Sequence, residues 1–231
     1  MTGRITQKTH ENIIISELST GKQFRLGTPG APLSNETCER LICAVEAIEA
    51  FDFLVVSGSF PAGADASLIP RLSSLAAARN AKLVVDTKGE PLKEAIRSGV
   101  YLVKPNLGEL AALSNVSYIS ENDIQKTAEK ILSAGKCEAI VVSMGEHGAM
   151  LVTAEHAEAF TAPSVKRKST VGAGDSMVAG ILTGLIKGYS LSKAVQFGVA
   201  CGTAATLQEG SRLCDPFDVQ AIFENVSDLI C

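Results

Sequence analysis

Phe51-Asp52-Phe53-Leu54-Val55-Val56 runs straight into Ser57-Gly58-Ser59, and this apolar run with its polar turn sets the reading of the whole chain. It is too short for a helix and apolar on both sides of its pleat, as a strand covered on both faces must be. An Ala/Leu-rich helix follows to about Asn80, and the same unit then repeats. Lys82-Leu83-Val84-Val85-Asp86 is the next strand, with a short helix from Pro91 to Ser98. Tyr101-Leu102-Val103 leads into Lys104-Pro105-Asn106 and a helix from Leu107 to Leu113. A helix from about Asp123 to Ala134 precedes the strand Ala139-Ile140-Val141-Val142-Ser143. Wholly apolar strands alternating with helices predict an α/β fold with a mostly parallel sheet and helices on both faces. Residues 149–153 and about 157–161 read as two short antiparallel strands.

Upstream, the β-branched stretch Asn12 to Leu18 and the alternating Gln23 to Leu26 flank the turn residues Ser19-Thr20-Gly21-Lys22, which predicts a hairpin. Ser34 is placed to cap a helix reaching about Ala50. Downstream, helices are expected from about Gly174 to Lys187, Ser190 to Leu207 and Pro216 to Leu229. No internal repeat or interdomain linker interrupts the pattern. The expectation is a single α/β domain over residues 1–231, with a protruding hairpin at 12–27.

Composition excludes several classes. The 231 residues are 46% apolar and 20% charged, which describes a globular protein rather than a disordered or low-complexity one. A net charge of −4 argues against a nucleic-acid or anionic-membrane partner. The clearest cationic cluster, Lys166-Arg167-Lys168, is too short to be a binding tail. No stretch approaches the roughly 18 apolar residues of a membrane span, and Met1 to Lys8 carries no apolar signal core. The six cysteines form no C-x-x-C pair, so reduced core thiols and a cytoplasmic protein are expected.

Ligands of open α/β sheets bind at the carboxyl ends of the strands. The polar residues there are Ser57-Gly58-Ser59, Asp86, Lys104-Pro105-Asn106, Ser143-Met144-Gly145 and the Gly172 loop, a set suited to a phosphate-bearing ligand. The sharpest element is Ser169-Thr170-Val171-Gly172-Ala173-Gly174-Asp175-Ser176-Met177. A Gly-rich turn there opens a helix, leaving the N–H groups of Gly172, Ala173 and Gly174 unpaired at the positive end of the helix dipole. Such an anion hole suits phosphate oxygens, and Asp175 beside it could accept a hydroxyl proton. The same letters also describe an ordinary helix start with a capping Asp. The stretch is neither a Walker A loop nor a Rossmann fingerprint.

These residues resemble the ribokinase-like sugar kinases of the phosphofructokinase B branch. Thr170 to Met177 is similar to that family's C-terminal signature, Val103-Lys104-Pro105-Asn106-Leu107-Gly108-Glu109 to its K-P-N-x-x-E segment, and Val142 to Ala149 to its V-S-x-G-x-x-G-A stretch. Val56-Ser57-Gly58-Ser59-Phe60-Pro61 is similar to its S-G-S-x-P loop. The resemblance implies a three-layer ribokinase-like fold with a β lid hairpin, and ATP- and Mg²⁺-dependent phosphorylation of a sugar phosphate, foremost fructose 6-phosphate. Tagatose 6-phosphate or 1-phosphofructokinase activity is the runner-up. It implies Asp175 as catalytic base, with Gly172, Ala173 and Gly174 as anion hole. Lys104, Asn106, Ser143, Gly145, Gly148 and Thr203 would hold the nucleotide, Asn106 and Glu109 the Mg²⁺, and Ser57, Gly58 and His10 the sugar.

Ala204 to Cys214 resembles a bacterial branch in which Ser169, Val171, Ala205, Gln208, Gly210 and Arg212 would form a K⁺ site, although Asn is usual where Gln208 stands. Thr9-His10-Glu11-Asn12 resembles a T-R-x-N segment, with the shorter His10 in place of a phosphate-gripping Arg. The resemblance begins after the family's first third, so it does not include the sugar-binding Asp, the G-G-x-x-x-N loop or part of the lid. The expectation is therefore a chain that binds adenine nucleotide but turns over sugar poorly. A homodimer through the hairpin, residues 12–27, is expected because lid sheets in this family pair between subunits.

Overall fold

The computed structural model describes residues 10–17, 19–20, 23–28 and 30–227. The expectations for Met1 to Thr9, for Leu18, for the turn residues Gly21 and Lys22, for the end of the last helix at 228–229 and for Cys231 lie outside them. The chain divides into two compact units, residues 1–101 and 102–231.

In the first unit, β1 (Asn12–Ser16) and β2 (Gln23–Gly27) pair antiparallel, with Ile13 opposite Leu26 and Ile15 opposite Phe24. The period of two puts these four side chains on one face, and all four stay about half exposed. The cap of α1 (Asn35–Glu46) is as read: the Ser34 Oγ accepts the Thr37 N–H at 3.2 Å. Then come β3 (Phe53–Ser57), α2 (Leu68–Ala78), β4 (Lys82–Asp86), α3 (Glu90–Ser98) and β5 (Val100–Val103), which begins in this unit and ends in the next. β3 runs parallel to β4, and Ser57 lies opposite Asp86.

Turns hold the chain ahead of α2: Ala64 N–H bonds to Pro61 O, and Ser67 N–H to the Asp65 carboxylate at 2.7 Å. One expectation needs correction here. β3 is not buried on both faces. Leu83, Val84 and Val85 of β4 are buried, whereas Val55 of β3 is 40% exposed. β3 pairs with β4 alone among the described residues, so it is an edge strand despite its apolar composition.

The second unit holds α4 (Leu107–Leu113), α5 (Ile124–Ala134), β6 (Cys137–Ser143), β7 (Ala149–Thr153), β8 (Ala157–Phe160), α6 (Ala173–Ile186), α7 (Leu191–Thr206) and α8 (Pro216–Ser227). The strand order is β3-β4-β5 in the first unit and β5-β6-β7-β8 in the second. β6, β7 and β8 are antiparallel neighbours, as predicted for the last two, so the sheet is mixed.

α6 and α7 meet along glycines. A Cβ on Gly180 would lie 2.7 Å from the Cys201 Sγ, and one on Gly198 would lie 2.8 Å from the Met177 carbonyl. Absent side chains let the helix backbones approach closely, gaining dispersion contacts along the seam. α8 closes the other side through Phe223, whose ring meets Phe197 edge-on at 5.1 Å and stacks on Tyr189. The five described cysteines are free, and burial pushes the Cys137 and Cys201 thiols up to about 12, where they are inert. No described helix is long and apolar enough to cross a membrane.

Candidate active site

A cavity of about 660 Å³ opens in the second unit. Its walls come from the end of β5, the β6–β7 turn, the crossing from β8 to α6, and the faces of α6 and α7. The ends of β5 and β6 are pinned together: Asn106 and Ser143 form an isolated parallel bridge, and the Ser143 N–H donates to the Pro105 carbonyl at 2.9 Å. Asn106 and Ser143 both line the cavity.

Asn106 also caps α4. Its Oδ1 accepts the Glu109 N–H, and the Glu109 carboxylate accepts the Asn106 N–H, each at 2.9 Å, in a complete capping box. The two residues read as a metal pair thus already serve each other, with Asn106 exposed and Glu109 half-buried. Hard oxygens in this pair fit Mg²⁺, which keeps waters and takes its remaining ligands from phosphates.

In the β6–β7 turn, Gly145 has φ 61° and Gly148 φ 90°. A Cβ on Gly148 would fall 1.9 Å from the Phe160 carbonyl oxygen, so the turn can close against β8 only with glycine here. Gly145 and Gly148 reach the cavity, as does Thr203 of α7, which is 8% exposed.

The head of α6 forms the end of the cavity. Gly172 is left-handed at φ 76°, and its carbonyl accepts the helix's first bond from Ser176 N–H at 2.8 Å. Ala173 and Gly174 line the cavity, and Asp175 is exposed in the first turn. Lys104 is only 5% exposed, and its Nζ lies 3.5 Å from where a Cβ on Gly174 would stand. A buried ammonium therefore approaches the bare backbone that the sequence suggested for an anion. One detail differs from the expectation: the Ala173 N–H reaches the Thr170 carbonyl at 3.5 Å, because the preceding turn folds back.

Of the residues expected at a K⁺ site, the structure joins Ser169 to Gly210, whose carbonyl accepts the Ser169 hydroxyl at 2.7 Å, while the same Oγ accepts the Val171 N–H. Ala205 is buried on α7 beside this contact's anchor, Thr206, whose carbonyl takes the Lys168 and Ser169 N–H groups. Gln208 turns elsewhere: its amide donates to the Asp218 carboxylate of α8 at 2.9 Å. Arg212 is exposed, and its N–H returns to the Glu209 carbonyl.

In the first unit, Ser57 and Gly58 end β3. The Gly58 N–H donates to Asp86 O, and the Gly58 carbonyl accepts the Thr87 hydroxyl at 2.7 Å. His10 shares the Asn12 Oδ1 with Arg25, at 3.2 and 3.1 Å. Sequence reading missed this guanidinium beside His10, fifteen positions away in sequence (25 − 10) and brought near by the hairpin register that sets Asn12 opposite Gly27. It also missed Arg167 as a cavity residue, and Glu146 and Thr206, which fall at unassigned positions of the stretches 142–149 and 204–214.

The sequence is 40% identical over 220 residues to the ATP-dependent 6-phosphofructokinase isozyme 2 of Escherichia coli, covering 95% of this chain and 71% of that relative. The Escherichia coli phosphofructokinase-2 solved in complex with potassium superimposes with a TM-score of 0.88, covering 96% of this chain and 72% of that one. A 1-phosphofructokinase of Borreliella burgdorferi is 30% identical, over 94% of this chain and 67% of its own length. Arabidopsis thaliana ribokinase, at 17% identity and a TM-score of 0.72 over 95% of this chain and 70% of that one, shares the fold alone. With the sequence profile of the pfkB family carbohydrate kinases matching residues 3–218, the chain belongs to that family and carries a ribokinase-like fold.

Proposed function

We propose that the cavity of the second unit takes the nucleotide in an ATP-dependent phosphorylation of a sugar phosphate, with fructose 6-phosphate as the foremost acceptor. The observation that carries this is the buried Lys104 beside the open backbone of Gly174, at the head of α6. Together with the helix dipole, that ammonium and the Gly172 and Gly174 N–H groups stabilise the charge spread over the transferred phosphoryl. Asp175 accepts the proton of the sugar hydroxyl as its oxygen bonds to the γ-phosphorus and the bond to ADP breaks. Ser143, Gly145, Gly148 and Thr203 wall the nucleotide, and Ser57, Gly58 and His10 serve the sugar. When bound, Mg²⁺ neutralises the phosphate oxygens, and Asn106 and Glu109 would hold it. Ser169, Val171, Ala205 and Gly210 would serve K⁺, with Gln208 drawn off towards Asp218.

Calorimetry with Mg-ATP, paired with coupled assays on fructose 6-phosphate, tagatose 6-phosphate and fructose 1-phosphate, tests the reading. Binding without preference for adenine nucleotide would overturn it. Similarity to a 1-phosphofructokinase keeps that activity as the second reading. Glu109→Gln should shift the Mg²⁺ titration of nucleotide binding to higher concentration. The amide keeps its oxygen for the capping box but loses the charge, and an unmoved titration would remove Glu109 from the metal.

The apolar face of Ile13, Ile15, Phe24 and Leu26 supports a homodimer through the hairpin. Two strands alone are marginal in water, and a second sheet would cover this face. Light scattering at micromolar protein should give a dimer that Phe24→Lys shifts towards monomer; a monomer for the unaltered chain would count against it.

A further inference from the structure

The Lys166-Arg167-Lys168 run, too short for a binding tail, is engaged inside the second unit. The Arg167 Nη2 lies 3.0 Å from the Glu146 Oε2, and the Lys168 Nζ lies 3.9 Å from the Glu209 carboxylate just past α7. Arg167 and Glu146 both line the cavity, Glu146 from the β6–β7 turn and Arg167 from the crossing between β8 and α6. That crossing is fixed at its two ends. At its start, Phe160 and Ala162 press against Gly148; at its end, the Lys168 N–H bonds to Thr206 O at 2.8 Å. Between these anchors the Glu146–Arg167 pair ties it to the turn. Side-chain exposures of 51% for Arg167 and 61% for Glu146 put the pair at the mouth rather than the floor.

We propose that the Glu146–Arg167 ion pair is a strap across the mouth of the cavity, holding residues 162–168 in place and setting the rate at which nucleotide leaves. This rests on the nucleotide reading of the cavity. An exposed pair is weak and screened by salt, so it opens readily and gates exchange without bearing on the stability of the fold. Glu146 and Arg167 are positioning residues that touch the reaction only through the bound nucleotide.

The test is release of a fluorescent ADP analogue from the 231-residue chain, chased with unlabelled ADP at low and high salt. Glu146→Gln should release it about two- to fivefold faster at low salt and lose most of the salt response of the unaltered chain. The double variant Glu146→Arg with Arg167→Glu should restore slow, salt-sensitive release, which a merely structural role would not produce. In parallel, a lysine-specific protease without nucleotide should cut at Lys166 and Lys168 faster in Glu146→Gln. Unchanged release and salt response, or a charge swap no better than the single variants, would overturn the proposal. Should the unaltered chain hold no nucleotide, the reading of the cavity fails, and proteolysis decides the strap by itself. Faster cutting of Glu146→Gln then supports the tie, and equal cutting overturns it.

Discussion

Asp175→Asn is expected to lower phosphotransfer by about 10²–10⁴-fold while leaving nucleotide affinity within a few-fold. Asn has nearly the same shape, and position 175 is exposed in the first turn of α6, so the helix start survives the change. What is lost is the capacity to take the hydroxyl proton. The proposed anion hole is backbone, made by residues the substitution does not touch. Calorimetry and a coupled assay on the same preparation separate the two effects. Turnover near that of the unaltered enzyme would remove Asp175 from the chemistry, and loss of nucleotide binding would mark it as a structural cap.

The largest expected effect on stability is at Gly148. Gly148→Ala should cost about 2–6 kcal/mol, combining ~1–3 for a strained backbone and ~1–3 for overpacking. Its φ of 90° disfavours any Cβ, and that Cβ would lie 1.9 Å from the Phe160 carbonyl and 2.7 Å from the Ala162 nitrogen. Both obstacles are backbone, so no side chain can swing away. Gly145→Ala is the control: its φ of 61° is also positive, but nothing lies within 4 Å of its Cβ position. It should cost only about 1–2 kcal/mol. Urea midpoints compared at constant slope give both values. Equal losses at the two positions would show that the close approach of β8 contributes nothing.

Regular elements were legible where the local signal and the final environment agree. β4 at Lys82–Asp86, α4 at Leu107–Leu113 and β7 at Ala149–Thr153 occupy the residues their patterns indicate. Apolar composition alone could not say that β3 lies at an edge, because neighbours in a sheet are a property of topology. Among the candidate site residues, the glycines and Lys104 were legible because motifs fix backbone geometry over a few positions. The mutual hold of Asn106 and Glu109 was less so, since one spacing serves both a metal pair and a capping box. Arg25 beside His10, and Glu146 beside Arg167, were not legible at all. Those pairs depend on register and on a crossing without regular structure, which no local pattern encodes.

The glycine seam between α6 and α7 bears on how such a chain can drift over generations. At Gly180 and Gly198 any larger side chain meets backbone or a neighbouring helix within 3 Å. A substitution there must displace α6, whose first turn carries Asp175. Random change at these positions is therefore punished twice, through folding and through the aim of the carboxylate proposed as the base. Ser57, Gly58 and His10, by contrast, are exposed and lie in the other unit. Their replacement leaves the seam untouched. On the proposed roles, a lineage built this way can try new acceptors by altering its periphery while α6 stays frozen.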